Sequence, residues 1–256
     1  MSYFIDVQGT LIDDIDKKPI KGAIAFIENL NAKKIPYVVV TNNTKIPSRE
    51  FHRFLCDLGF AIPSSHYLDP FMALENVLHV KDIRSFGAQE FVCVMETLGY
   101  NQTAEVPEAI VIASKKDFSS EDYASMIELS LNGAKIIGMH ATSIYAKDKR
   151  RYPGVGAILE MLHYATGKAY QVVGKPSPLF YETALERIKE QGGAQAFEGV
   201  TMISDDAIGD LVGAKKLGMK TVLVLSGKCQ SEAEVLHVKH ALDAIVSHIG
   251  AFEGQQ

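Results

Sequence analysis

The stretch Ser2-Tyr3-Phe4-Ile5-Asp6-Val7-Gln8-Gly9-Thr10 decides how this chain is read. An apolar run closed by a carboxylate and followed by a Gly-Thr turn is how an open α/β sheet presents a reactive side chain at the carboxyl end of a central strand. Asp6 is therefore the candidate nucleophile. The local alternative is an Asp that starts a turn for its own hydrogen bonds, and what favours chemistry is its company farther along the chain.

Working outward, Ile20, Ala23, Ile24, Ile27 and Leu30 recur at helical spacing over residues 19–31. Residues 34–41 then form a β-branched run that reads as a buried strand. Together with the first strand these make a βαβ unit, which predicts a parallel sheet. Helices are expected over about 47–58 and 69–80. Residues 79–170 carry an alternation of their own, with strands at 83–86, 109–113 and 135–139 and helices through 98, over 119–131 and over 156–166. The core pattern resumes at residue 171 in the segment Tyr170-Gln-Val-Val-Gly-Lys175-Pro-Ser-Pro178. A helix to about 191, a strand ending in Ser204-Asp205-Asp206, a helix over 208–217 and strands at 220–225 and 243–246 follow. The expected fold is α/β: a doubly wound parallel-sheet core of residues 1–78 and 171–256, with an inserted α/β cap of residues 79–170.

At 256 residues the chain can bury a core and an insert. No apolar stretch approaches the roughly 18 residues that span a bilayer. The N-terminus runs straight into a strand, without the charged, apolar and cleavage regions of a leader. The expected location is cytoplasmic, with no membrane partner. Cys56, Cys93 and Cys229 are scattered, odd in number and without a Cys-x-x-Cys, so they are expected to be reduced and packed rather than bridged or metal-bound. A formal charge of −5 argues against a general nucleic-acid surface, leaving a small molecule as the expected partner and a homodimer open as the assembly.

The strand ends offer Asp6, Thr41 with Asn42, Lys175, and Asp205, Asp206 and Asp210. In one parallel sheet these would converge at one edge. Carboxylates so placed call for a hard cation, and Mg²⁺ held by one or two of them, waters and a substrate phosphate fits. Thr41, Asn42 and Lys175 would hold the other phosphoryl oxygens. The chemistry is phosphoryl transfer, with Asp6 attacking phosphorus. Asn43 reads equally as a phosphate contact or a turn residue, and Asp206 as a helix cap or a metal contact. The run Lys147-Asp-Lys-Arg-Arg151 is expected to be a solvated loop. His140 is expected to be satisfied or exposed rather than a ligand.

These four segments resemble the motifs of the haloacid dehalogenase-like hydrolase superfamily: Asp6-Val-Gln-Gly-Thr10, Thr41-Asn42, Lys175-Pro-Ser-Pro178 and Ser204-Asp205-Asp206-x-x-x-Asp210. Their order and the long insert are similar to the subfamily with the larger α/β cap, which holds the bacterial nucleotide phosphatase-like and 4-nitrophenyl phosphatase-like proteins. Val173-Gly-Lys-Pro-Ser-Pro178, Asp205-Asp206…Asp210 and Ser226-Gly-Lys228 look most like its phospholysine phosphohistidine inorganic pyrophosphate phosphatase branch. The resemblance implies that Asp6 becomes phosphorylated and that Mg²⁺ is bound by the Asp6 carboxylate, the Gln8 main-chain carbonyl and Asp205. Asp210 would hold metal waters or Lys175. Three departures stand out. Gln8 occupies the place of the usual general-acid Asp, and an amide cannot protonate a leaving oxygen. Ser204 replaces a Gly, and Gly138-Met-His-Ala-Thr-Ser143 lacks the Asn-x-Asp often found in the cap. Gln8 suits good leaving groups, such as those of pyrophosphate, phosphoramidates or aryl phosphates. The rival readings are a phosphate-binding protein that has lost turnover, and a dehalogenase or phosphonate-cleaving relative.

Overall fold

A computed structural model describes residues 1–147 and 150–252. In chain order the strands are β1 (Ser2–Asp6), β2 (Tyr37–Val40), β3 (Tyr67–Leu68), β4 (Ile83–Phe86), β5 (Ala109–Ile112), β6 (Lys135–Gly138), β7 (Ile144–Lys147), β8 (Arg150–Pro153), β9 (Tyr170–Val172), β10 (Val200–Ser204), β11 (Lys220–Val224) and β12 (Ala244–Val246). The chain divides into two compact units, one of residues 1–41, 49–68 and 181–256, the other of residues 42–48 and 69–180.

The first unit is built on a six-stranded, all-parallel sheet in the order β12-β11-β10-β1-β2-β3. Every residue of β1 and β2 is buried, as expected of central strands covered on both faces. One face packs Tyr3, Ile5, Tyr37 and Val39 against Ile27 and Leu30 of the helix Ala23–Lys33 and Phe51 and Leu55 of the helix Ser48–Asp57. The first of these helices starts later than its apolar spacing predicts. Pro19 bridges to Ile12 and the Ile20 N–H donates to the Leu11 carbonyl, so residues 19 and 20 are tied into extended pairing, and Gly22 turns the chain at φ 77°. From β1 the chain moves outward to β2 and β3 and later returns on the other side as β10. That places the reversal of strand order between β1 and β10, where α/β sheets open a crevice at their carboxyl ends.

The second unit has a parallel sheet in the order β4-β5-β6-β9 and a separate β7–β8 hairpin. Ile110, Ile112 and Ile136 pack there on Met126 of the helix Ser120–Leu131 and on Ile158, Leu159 and Leu162 of Val155–Thr166. Two expectations need correction. Tyr170–Val172, read as the start of the resumed core, pairs with Ile136–Gly138 and completes this second sheet, because its partner β6 has a free edge of matching register. The helix expected over 69–80 is only the turn Pro70–Ala73, capped by Asp69, followed by the 3₁₀ turn Leu74–Asn76. Beyond it, residues 81–83 are drawn into pairing with Asn101.

The basic run read as a loop contributes instead to β7 and β8, where Tyr145 lies opposite Tyr152 and the rings stack at 5.4 Å; residues 148 and 149 of that run lie outside the described residues. The cysteines are free, but Cys56 and Cys93 are exposed rather than packed. Among the described residues no helix is long and apolar enough to cross a membrane.

Candidate active site

Asp6 ends β1 and Asp205 follows β10, and the two strands run side by side with Ile5 opposite Ile203. The sheet thus sets both carboxylates at its carboxyl edge, at the reversal point. Both are buried, Asp6 at 5% and Asp205 at 3% exposure. Burial, and then the neighbouring negative charge of Asp6, push the Asp205 carboxyl well above its ordinary range. The Lys228 main-chain N–H and ammonium offset part of that shift.

The Asp205 carboxylate sits in a cradle. Its Oδ2 accepts the Lys228 N–H at 2.7 Å. A Cβ built on Gly227 would lie 2.0 Å from that oxygen, and one on Gly9, where φ is +74°, 2.1 Å. Both glycines are therefore required by close approach, and Gly9 also by its left-handed backbone. Gly227→Ala should displace Asp205 and weaken divalent-cation binding by about 10–100-fold, the usual range for a support behind a metal ligand. Overpacking should also cost about 1–3 kcal/mol of stability. Cation titration and urea unfolding of the variant check both, and unchanged cation affinity would remove the cradle from the account.

Asp210 and Asp206 are engaged elsewhere. The Ser204 hydroxyl donates to Asp210 Oδ2 at 2.7 Å and accepts the Asp206 N–H at 3.1 Å. The side chain that replaces the usual Gly thus ties the two carboxylate-bearing residues together. This is possible because a π turn over Ala207–Leu211 brings Asp210 back over the end of β10. Asp206 caps that turn through the Gly209 N–H at 2.8 Å and pairs with the Lys228 ammonium at 2.5 Å. Burial lowers the Lys228 pKa, but the charge of Asp206 and its hydrogen bond, then Asp210 and Asp205, outweigh burial and hold the ammonium above its ordinary range. Ser226 donates to the Gly9 carbonyl at 2.7 Å, fastening the loop after β11 to the loop after β1.

Gln8 is half-buried, and its Oε1 accepts the Thr41 hydroxyl at 2.9 Å. In the second unit, Asn42 faces the main chain of Lys175: its Oδ1 accepts the Lys175 N–H at 2.9 Å and its Nδ2 donates to the Lys175 carbonyl at 3.3 Å. These two bonds hold the Asn42 side chain against the Lys175 main chain. Lys175 itself is 2% exposed. It follows β9, a strand of the second sheet, so convergence along one sheet edge does not account for it. Asn43 closes a local turn on Lys45 and Ile46. His140 is buried and satisfied by the Ser114 hydroxyl at 3.0 Å.

Among the described residues no three His, Cys, Asp or Glu side chains gather to hold an ion. The reversal point offers the carboxylates of Asp6 and Asp205, on adjacent strand ends, as oxygen donors. That set fits Mg²⁺, which is bound by one or two carboxylates and keeps several waters. The sequence singled out Ser204 and Ser226-Gly-Lys228 but gave neither a part in positioning the carboxylates. The available signal was the Ser-Gly-Lys just beyond β11, the neighbour of β10.

Family comparisons agree with this geometry. Residues 3–101 match the model of the haloacid dehalogenase-like hydrolases, and residues 172–252 match a second model of HAD-hydrolase-like proteins. The mouse haloacid dehalogenase-like hydrolase domain-containing protein 2 is 28% identical, covering 97% of this chain and 96% of its own. The mouse phospholysine phosphohistidine inorganic pyrophosphate phosphatase is 27% identical, over 88% and 82%. A 4-nitrophenylphosphatase of Thermotoga maritima superposes with a TM-score of 0.81 over 98% and 95%, at 22% identity, a likeness of fold. With Asp6, Thr41 and Asp205 at the carboxyl ends of strands of the first sheet, this chain belongs to the haloacid dehalogenase-like hydrolases, in the subfamily with the large α/β cap.

Proposed function

We propose that the protein is a Mg²⁺-dependent phosphatase for a small phosphorylated substrate, working through a phosphorylated Asp6. The observation that carries this reading is the Asp205 carboxylate cradled between Gly9 and Gly227 beside the strand that ends in Asp6. An Asp6 oxygen attacks phosphorus and the bond to the leaving group breaks, its electron pair departing with that group. Water then attacks the aspartyl phosphate, releasing inorganic phosphate and restoring the carboxylate. Mg²⁺ would be held by the Asp6 and Asp205 carboxylates and the Gln8 carbonyl, supplying positive charge to the phosphoryl oxygens. Lys175 is retained as the phosphoryl-binding ammonium on the resemblance alone. Support for a phosphatase comes from the relatives named for that activity.

A panel of phosphorylated metabolites and 4-nitrophenyl phosphate with Mg²⁺ tests the reading. Absence of phosphate release across the panel would overturn it.

The electrostatics make a separate prediction. A buried carboxyl raised above its ordinary value of 3.8 contributes stability that is fully present below that pH and is lost as pH rises through the raised value, when the charge must form. A cation at Asp6 and Asp205 removes that penalty. Added Mg²⁺ should therefore raise Tm, and more at pH 8 than at pH 5, with chelator reversing the gain. A Mg²⁺-induced shift equal at both pH values would contradict the placement of the cation.

A further inference from the structure

The turn after β11 does more than fill space around Asp205. Its three residues make three separate attachments: Ser226 Oγ to the Gly9 carbonyl, the Lys228 N–H to Asp205 Oδ2, and the Lys228 ammonium to Asp206. The first locks the loop to the nucleophile turn. The second takes up one of the two carboxylate oxygens of Asp205, which is also walled by the backbones of Gly9 and Gly227. Among the described residues Asp205 Oδ1 makes no hydrogen bond, so that oxygen is left to a ligand. The third, with the Gly209 N–H on the other oxygen, keeps both oxygens of Asp206 occupied.

These attachments bear on which cation fits. Ca²⁺ takes six to eight oxygens, a number that bidentate carboxylates help to supply, whereas Mg²⁺ completes an octahedron from one or two carboxylates and several waters. We propose that the Ser226–Gly227–Lys228 turn is a positioning element that limits Asp205 to one coordinating oxygen and withholds Asp206, so that the site selects Mg²⁺ over Ca²⁺. Lys228 acts through the two aspartates and touches neither cation nor substrate. The inference rests on the proposed Asp6–Asp205 cation site.

The test is calorimetric titration of the metal-free full chain with Mg²⁺ and with Ca²⁺, which needs no turnover. Lys228→Met keeps the main-chain donor and removes the ammonium from Asp206 Oδ2. It should shift the ratio of Ca²⁺ to Mg²⁺ affinity toward Ca²⁺ by about tenfold or more, on the scale of changes behind a metal ligand. Lys228→Arg should restore the wild-type ratio, because it re-pairs Asp206. Ser226→Ala, which removes no charge, should move the ratio the same way by a smaller factor. A ratio within about twofold of wild type in Lys228→Met, or in Ser226→Ala if the lysine variant does not fold, would overturn the inference while leaving the cation site intact. Wild-type protein that binds neither cation would overturn the site and the inference together.

Discussion

Asp6→Asn is expected to lower kcat by roughly 10⁴–10⁶-fold, the scale on which removal of a covalent nucleophile is felt. Asn keeps the shape of the side chain at the end of β1, so the fully buried strand and its pairing with β2 and β10 are preserved. What is lost is the anionic oxygen. The same change removes one of the two charges that burial forces together at the strand reversal. The metal-free variant should therefore melt higher than wild type, and its gain in Tm on adding Mg²⁺ should shrink. Two measurements separate chemistry from folding. Acid-quenched mass spectrometry should find phosphate on Asp6 in the wild type and none in the variant, and thermal melts should give the opposite ranking to activity. Turnover above about one part in 10² of wild type would place the nucleophile elsewhere.

The second large effect is a gain. Gln8→Asp should raise kcat/KM selectively for alkyl phosphate esters, whose alkoxide leaving groups need a proton in the transition state. The ceiling is the roughly 10²–10⁴-fold typical of general acid catalysis. The structure places the result below that ceiling. Gln8 is held through its Oε1 by the Thr41 hydroxyl, and Asp is one methylene shorter, so it cannot keep that bond and reach the same point. A misplacement of about 1 Å costs on the order of 10²-fold, which leaves a gain of roughly tenfold as the working expectation. The added carboxylate also brings negative charge toward the phosphate, so KM should rise while kcat rises. Rates for esters of graded leaving-group pKa, in both proteins, decide the matter. The slope of log(kcat/KM) against leaving-group pKa should be steep in wild type and flatter in Gln8→Asp. Equal slopes would show that position 8 does not face the leaving group.

Much of this was written in the sequence because it is local. The alternation of β-branched runs with helical spacing specifies a parallel sheet, and a parallel sheet puts its strand ends on one edge. From that alone Asp6 and Asp205 are expected at one sheet edge, and the structure adds that β1 and β10 are paired neighbours. The hairpin of β7 and β8 was hidden because its strands are short and the basic run supplies residues to both, so charge masked a pairing that the cross-strand tyrosines support. The exit from the insert was misplaced for a related reason. Tyr170–Val172 is a three-residue, partly exposed strand, and nothing in so short a segment says which of two sheets has the open edge.

The sequence by itself determined which side chains are available for chemistry, their order, and the absence of a carboxylate at position 8. It could do so because residue type and strand-end placement are properties of single segments. Only the tertiary structure decided what each polar group is bound to: Asn42 on the Lys175 main chain, Ser204 on Asp210, Thr41 on Gln8, and Lys228 on both Asp205 and Asp206. These bonds join residues up to 133 positions apart. A buried donor or acceptor must find a partner wherever the fold supplies one, because leaving it unmade costs about 1–3 kcal/mol, and that partner is set by packing in space rather than by spacing along the chain.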